Sequence, residues 1–251
     1  MLDHPIFAAS IALIRRELAV RAQVDGALAA RLQALSPLER DVLERCIHSS
    51  GDLALAADLV FAPAAQQVAP EPSLDACSRG LAALQAGAPI LCDTAMATAA
   101  VAPMARRTLG NRVLCLLDWA PANAPLGAPA SAPAGSTRSA AAVEPAWREL
   151  THQGPAPLVL IGSAPTALER LLDLVAAGAP PPALVIGMPV GFIGVAESKR
   201  RLAASGLAQI RLDGPRGGAG LVAAACNALL RAAVLQTCAT SEALRLEKQE
   251  L

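Results

Sequence analysis

From residue 88 onward the chain is punctuated by five short apolar runs, 88–92, 112–117, 158–161, 183–186 and 208–212, most of them separated by stretches with helical spacing. Runs this short, bounded by Gly, Pro and Asp, read as strands buried on both faces. Strands that alternate with helices return by crossover connections, which gives a mostly parallel sheet with helices on either side. The expected fold is therefore α/β, three-layered, with a mostly parallel five-stranded sheet. Each run ends in a distinctive turn: Asp93, Asp118, Gly162-Ser163, Gly187-Met188 and Gly214 to Gly218. Ligands of doubly wound sheets bind at that carboxyl edge, so the chemistry is expected along one line of loops.

The residues before this region form an N-terminal helical extension. Residues 5–35 read as one or two helices, with Ile11, Leu13, Ile14, Leu18 and Val20 on an apolar face beside Arg15, Arg16, Glu17 and Arg21. Ser36-Pro37-Leu38-Glu39 is a capping box with proline at the first helical position, and it opens a helix that should stop near Gly51. Residues 52–61 are read as another short helix closed by Pro63, and Ser73 as the cap of a helix ending at Gly87. The division expected is a single domain over 1–235, helical over 1–87 and α/β over 88–235. A Pro/Ala-rich surface loop at 119–135 interrupts it, and a tail at 236–251 follows.

Composition removes several function classes. Twenty-one basic residues balance 21 acidic ones, aromatics make up 2% and tyrosine is absent, so neither a phosphate-binding surface nor a base-stacking platform is expected. No nucleic-acid partner and no membrane are expected, because no uninterrupted apolar run reaches the roughly 18 to 20 residues of a spanning helix. Charged residues near the N-terminus leave no signal-peptide core, and a cytoplasmic protein is the default. The six cysteines contain no CxxC pair and the histidines are only His4, His48 and His152, so no metal site is expected. The cysteines are read as small buried hydrophobes. Neither GxGxxG nor GxxxxGK[ST] occurs, which leaves a nucleotide-binding α/β protein little support.

The most informative stretch is 183–201, ALVIGMPVGFIGVAESKRR: a strand, a loop punctuated by Gly187, Gly191 and Gly194, then a helix opening. GMPVGFIGVAESK closely resembles the signature segment of the precorrin-8X methylmutase family, the precorrin isomerases of corrin-ring biosynthesis. CIHSSGD (46–52), GSTRSAA (135–141) and IGSAPTAL (161–168) agree with that family in the same order, and GPRGGAGLVAAACNAL (214–229) agrees more loosely. The resemblance implies a flavodoxin-like fold working as a homodimer, acting on precorrin-8X or cobalt-precorrin-8 with no cofactor and passing product to a downstream corrin amidase. The implied reaction moves a methyl group from carbon 11 to carbon 12 of the macrocycle. Ser163 where members carry asparagine, Ala219 for a serine and Ala100 for a glycine are departures that read together as altered substrate preference, a paralogue or drift, and those at Ser163 and Ala219 keep a non-catalytic corrinoid-binding protein in view.

His48, in the last turn of the capped helix, sits where the negative end of the helix dipole favours a protonated imidazole, and Glu44 one turn earlier is expected to act the same way. The resemblance places the family's catalytic histidine there. A macrocycle edged with carboxylates calls for amides and cations, and helix N-termini after Gly162 and Gly194 are expected to supply the amides. Ser49, Asp93, Arg138, Ser139, Ser163, Thr166, Lys199 and Arg216 are the polar candidates for substrate binding, with Met188 and Phe192 as an apolar wall. Ser163 is equally readable as a helix cap, Arg138 and Lys199 as surface charges, and Arg216 as a loop residue. Asn227 is read as structural.

Overall fold

A computed structural model of the protein describes residues 4–65, 74–121, 137–152 and 154–247, with side chains as far as 236. Most of the Pro/Ala-rich loop and the Ser73 cap lie outside the described residues. Helices α1 (Pro5–Val24), α2 (Gly26–Ala34), α3 (Pro37–Ser50) and α4 (Leu55–Asp58) lead into strand β1 (Leu59–Ala62) and helix α5 (Ala76–Gln85). The alternating part follows as β2 (Ile90–Cys92), α6 (Ala95–Arg107), β3 (Val113–Cys115), a 3-10 turn at Leu116–Trp119, α7 (Arg138–His152) and β4 (Leu158–Ile161). It closes with α8 (Pro165–Ala176), β5 (Leu184–Gly187), α9 (Val195–Ala204), β6 (Gln209–Leu212) and α10 (Ala219–Glu247).

Among the described residues the sheet has six strands in the order β1-β6-β5-β4-β2-β3, not the five expected. The five expected strands all form and pair in parallel. The sixth, β1, pairs antiparallel with β6, Leu59 opposite Leu212 and Ala62 opposite Gln209. Residues 52–61 are thus not one helix. A single turn, α4, gives way to Leu-Val-Phe-Ala, and the β-favouring Val60 and Phe61 complete an edge that β6 would otherwise expose. The nominally helical first part of the chain therefore contributes a strand to the sheet.

Alternate side chains of the parallel strands feed two cores. Leu158, Leu160, Leu184, Ile186 and Ile210 join residues of α3, α5, α6 and α10 on one face. Val159, Ile161 and Val185 join Trp147, Leu150, Leu168, Leu171 and Leu202 on the other. These two sets give the three layers. Cys46, Cys77, Cys92, Cys115 and Cys226 are all buried and free. Burial pushes the thiols of Cys46 and Cys92 up to about 12, so they pack as thiols.

Ala219–Gln236 of α10 is long and apolar enough to cross a membrane by composition, which counting uninterrupted runs overlooked. Half of that stretch is buried, against α3, α5, α6 and the sheet, as the central helix of a core.

Candidate active site

Two ends of the molecule meet along the carboxyl edge of the sheet. The parallel strands deliver Asp93, Gly162, Met188 and Asp213 there, and α6, α8, α9 and α10 start from it. Helix α3 runs antiparallel to α10, with Asp41 near Arg231 at one end and the Cys46 thiol 3.8 Å from the Leu221 carbonyl at the other. Beyond its last turn, Asp52 pairs with Arg216 at 2.7 Å. His48 lies between the Leu221 and Arg216 anchor points, so its turn of α3 borders the edge.

The position of His48 is fixed by both ends of α3. The Ser36 hydroxyl accepts from the Glu39 amide at 3.2 Å, while the Glu39 carboxylate accepts from the Ser36 amide at 2.9 Å. At the other end Gly51, in the left-handed region at φ 70°, donates its N–H to Ile47 at 2.8 Å. The imidazole is exposed. Its Nδ1 lies 2.7 Å from the Ser10 hydroxyl, and the Phe7 ring meets it edge-on with centroids 5.0 Å apart. Among the described residues Nε2 has no partner. Ser10 and Phe7 belong to α1 and no local spacing links them to His48, so sequence reasoning missed both.

Glu44, one turn before His48, pairs with Arg15 of α1. Its buried carboxylate receives three hydrogen bonds from Arg15, two from Nε at 2.9 and 3.0 Å and one from the terminal nitrogen at 2.8 Å. The Glu44 hydrogen bond in turn raises the Arg15 pKa.

Several candidates for substrate contact sit beneath the edge instead. Asp93 is fully buried, and its Oδ2 accepts from three consecutive amides, Gly162 at 3.0 Å, Ser163 at 2.6 Å and Ala164 at 2.9 Å. These are the amides expected to meet the substrate, and they are already taken. Burial raises the Asp93 pKa, and the three amides oppose that shift. Lys199 is 1% exposed and donates to the carbonyls of Gly214 at 2.7 Å and Arg216 at 2.6 Å, while burial lowers its pKa to about 8. Met188 is fully buried, so it belongs to the core rather than to a wall. Arg216, half exposed, pairs with both Asp52 and Asp58. A side chain next to a strand end points outward or inward, and the sequence pattern does not distinguish the two.

The remaining candidates face outward. Phe192 is 91% exposed and Ile193 90%, at the tip of the β5–α9 loop, with Met96 at the start of α6 also exposed. Ser49 is exposed beside His48, and Thr166 is exposed at the start of α8. The Thr166 hydroxyl lies 2.6 Å from that of Thr137, which joins the N-termini of α7 and α8. That contact sets Arg138 and Ser139, both half-buried, beside the α8 end of the edge; the Arg138 Nε donates to the Pro121 carbonyl at 3.4 Å. Asn227 links α10 to α6 by donating to the Ala100 carbonyl at 3.1 Å.

The arrangement offers an exposed imidazole with Nδ1 held by Ser10 and, elsewhere along the edge, the Thr137–Thr166 hydroxyl pair, the Arg138 guanidinium and the apolar loop tip at Phe192 and Ile193. Among the described residues no three His, Cys, Asp or Glu side chains converge as metal ligands would. The family model described as precorrin-8X methylmutase matches residues 5–232. The precorrin-8X methylmutase of Pseudomonas aeruginosa is 43% identical over 187 residues, 74% of this chain and 80% of that protein. The cobalt-precorrin-8 methylmutase of Synechocystis is 34% identical across 91% of this chain and 95% of its own. The crystal structure of a precorrin-8X methylmutase from Thermus thermophilus superposes with a TM-score of 0.64 at 37% identity, covering 85% of this chain and 96% of that one. The motif containing His48 and the loops of the sheet edge thus lie within one continuous match, and the chain belongs to the precorrin-8X methylmutase family.

Proposed function

We propose that this chain is an isomerase of corrin-ring biosynthesis that moves the methyl group of precorrin-8X, or of its cobalt-containing equivalent, from carbon 11 to carbon 12, yielding hydrogenobyrinic acid in the metal-free case. The observation that carries the reading is the exposed, oriented His48 at the carboxyl edge of a family member. As the methyl group migrates, the bond to carbon 11 breaks, the bond to carbon 12 forms, and electron density shifts through the conjugated ring toward a ring nitrogen. A protonated His48 stabilises that density through Nε2–H, and the proton returns when conjugation is restored. Nδ1–H donates to Ser10 throughout, so the ring keeps one orientation in both protonation states. The reaction adds and removes no atoms, and no cofactor enters the scheme.

The macrocycle lies over the edge between Ser49 and the β5–α9 loop. Ser163, Thr166, Arg138 and Ser139 face its carboxylates, and Phe192 covers an apolar face. The parallel strands in their flavodoxin-like order supply the platform. We assign a homodimer as the working form and a corrin amidase as the consumer of the product.

The test is the visible spectrum of protein mixed with precorrin-8X, since methyl migration changes the conjugation. The wild type is expected to produce the hydrogenobyrinic acid spectrum. His48→Ala is expected to bind substrate with turnover lower by about 10²- to 10⁴-fold. Binding without conversion by the wild type, in both metal-free and cobalt forms, would overturn the isomerase reading in favour of a non-catalytic corrinoid-binding paralogue.

A further inference from the structure

Leaving β1 aside, the parallel strands run β3-β2-β4-β5-β6, so the chain builds outward in one direction from β2 and in the other from β4. The crevice between the carboxyl ends of those two strands is the topological switch point, where doubly wound proteins bind ligands, anions at the following helix N-terminus above all. In this protein that place is already filled. Asp93 follows directly on β2, and its Oδ2 reaches across to collect the amides of Gly162, Ser163 and Ala164, which lead from β4 into α8. The side chain is wholly buried and Oδ1 has no partner among the described residues, so no oxygen of Asp93 faces the substrate.

We propose that Asp93 is a positioning residue: a built-in anion that occupies the switch-point amide nest and so sets the β4–α8 loop in the one conformation that presents Ser163 and Thr166 to the macrocycle. The proposal deepens the methylmutase reading and rests on it for the identity of the ligand. It also explains how the loop holds its shape without a side-chain cap. Ala164 stands at the N-cap of α8 and caps nothing, and the carboxylate that satisfies the free amides comes from another strand. The neighbouring loop is held in the complementary way. Lys199 spends its ammonium on the carbonyls of Gly214 and Arg216, so one buried anion and one buried cation shape adjoining segments of the edge from below.

Two variants and one small molecule test the assignment. Asp93→Ala removes the anion and leaves space for formate, while Asp93→Asn keeps a carbonyl oxygen where Oδ2 was. Amide hydrogen exchange at Gly162, Ser163 and Ala164 reads the anchor directly and needs no turnover. Exchange at these three amides should accelerate in Asp93→Ala, slow again when formate is added, and stay protected in Asp93→Asn. With precorrin-8X, KM should rise by about 10²-fold in Asp93→Ala with kcat far less affected, formate should restore it, and Asp93→Asn should stay close to wild type. Unchanged exchange in Asp93→Ala would overturn the proposal. So would an Asp93→Asn variant with normal KM and lost kcat, because Asp93 would then be moving a proton. If Asp93→Ala does not fold, Asp93→Asn decides alone by the same two readouts. A wild type that fails to convert precorrin-8X would overturn the functional reading, while the exchange of the three amides would still decide the anchor.

Discussion

A charge taken out of water persists only where backbone dipoles replace the solvent it has lost. At Asp93 the replacement is incomplete: three amides serve one oxygen, the other has none, and burial wins over the hydrogen bonds in setting the direction of the pKa shift. The native state therefore holds its proton to higher pH than the unfolded chain, whose value is near 3.8. Between those two values the folded form binds more protons, so this residue makes stability fall as pH rises. Asp93→Asn has no such titration. The urea-derived stability of the wild type minus that of Asp93→Asn should decline as pH is raised from 3.8 through the raised native value, then level off. A flat difference would show that the amides fully compensate the buried charge. The motif made Asp93 and Lys199 legible in the sequence as polar residues at the functional edge. Their inward direction was not legible, because it depends on carbonyls and amides supplied by a neighbouring strand. His48 was legible because its helix is capped at both ends by local signals, whereas Ser10, which holds its ring, sits in a separate helix with no spacing to announce it.

At element scale, backbone hydrogen bonds tie the loops of the edge to one another. Val190 donates its N–H to the Gly162 carbonyl at 3.2 Å, Gly191 to Pro215 at 3.0 Å and Gly218 to Met188 at 2.9 Å, so three loops following three strands brace one another. At Gly162 the contact leaves no room for a side chain. A Cβ on Gly162 would lie 2.7 Å from the Ala219 nitrogen and 2.8 Å from the Gly218 carbonyl carbon, atoms that cannot swing aside. Gly162→Ala is expected to cost about 1 to 3 kcal/mol of stability by overpacking and to raise KM by displacing the loop that Asp93 sets. Thermal unfolding beside steady-state kinetics checks both. A stable variant with normal KM would mean that the loops yield independently. The glycines of these loops were readable as turn residues, and the five parallel strands appeared within two residues of their expected places because periodicity and length are local. Strand β1 was not readable: four residues following a helical turn become a strand only because β6, from the far end of the chain, pairs with them.

At the scale of the whole molecule, the proposed proton donor and the proposed substrate platform come from different parts of the chain and have to be registered against each other. Helix α3 carries His48, the sheet edge carries the loops, and two features join them. One is the packing of α3 on α10, an apolar contact made deep in the core. The other is Arg216, which extends from the Lys199-braced loop to Asp52 and Asp58, the first of them four residues beyond His48. The guanidinium and both carboxylates are about 40% exposed, so the bridge contributes little to stability, under about 1 kcal/mol, and salt weakens it. Its consequence for turnover is larger, since a catalytic group displaced by about 1 Å can lose 10²-fold in rate. Arg216→Gln should therefore unfold at nearly the wild-type temperature yet lose about tenfold or more in kcat, and raising ionic strength should slow the wild type more than the variant. Were Arg216 a direct ligand of a substrate carboxylate, the loss would fall on KM instead. The division between kcat and KM in this one variant thus distinguishes a residue that registers the two parts of the molecule from one that grips the macrocycle.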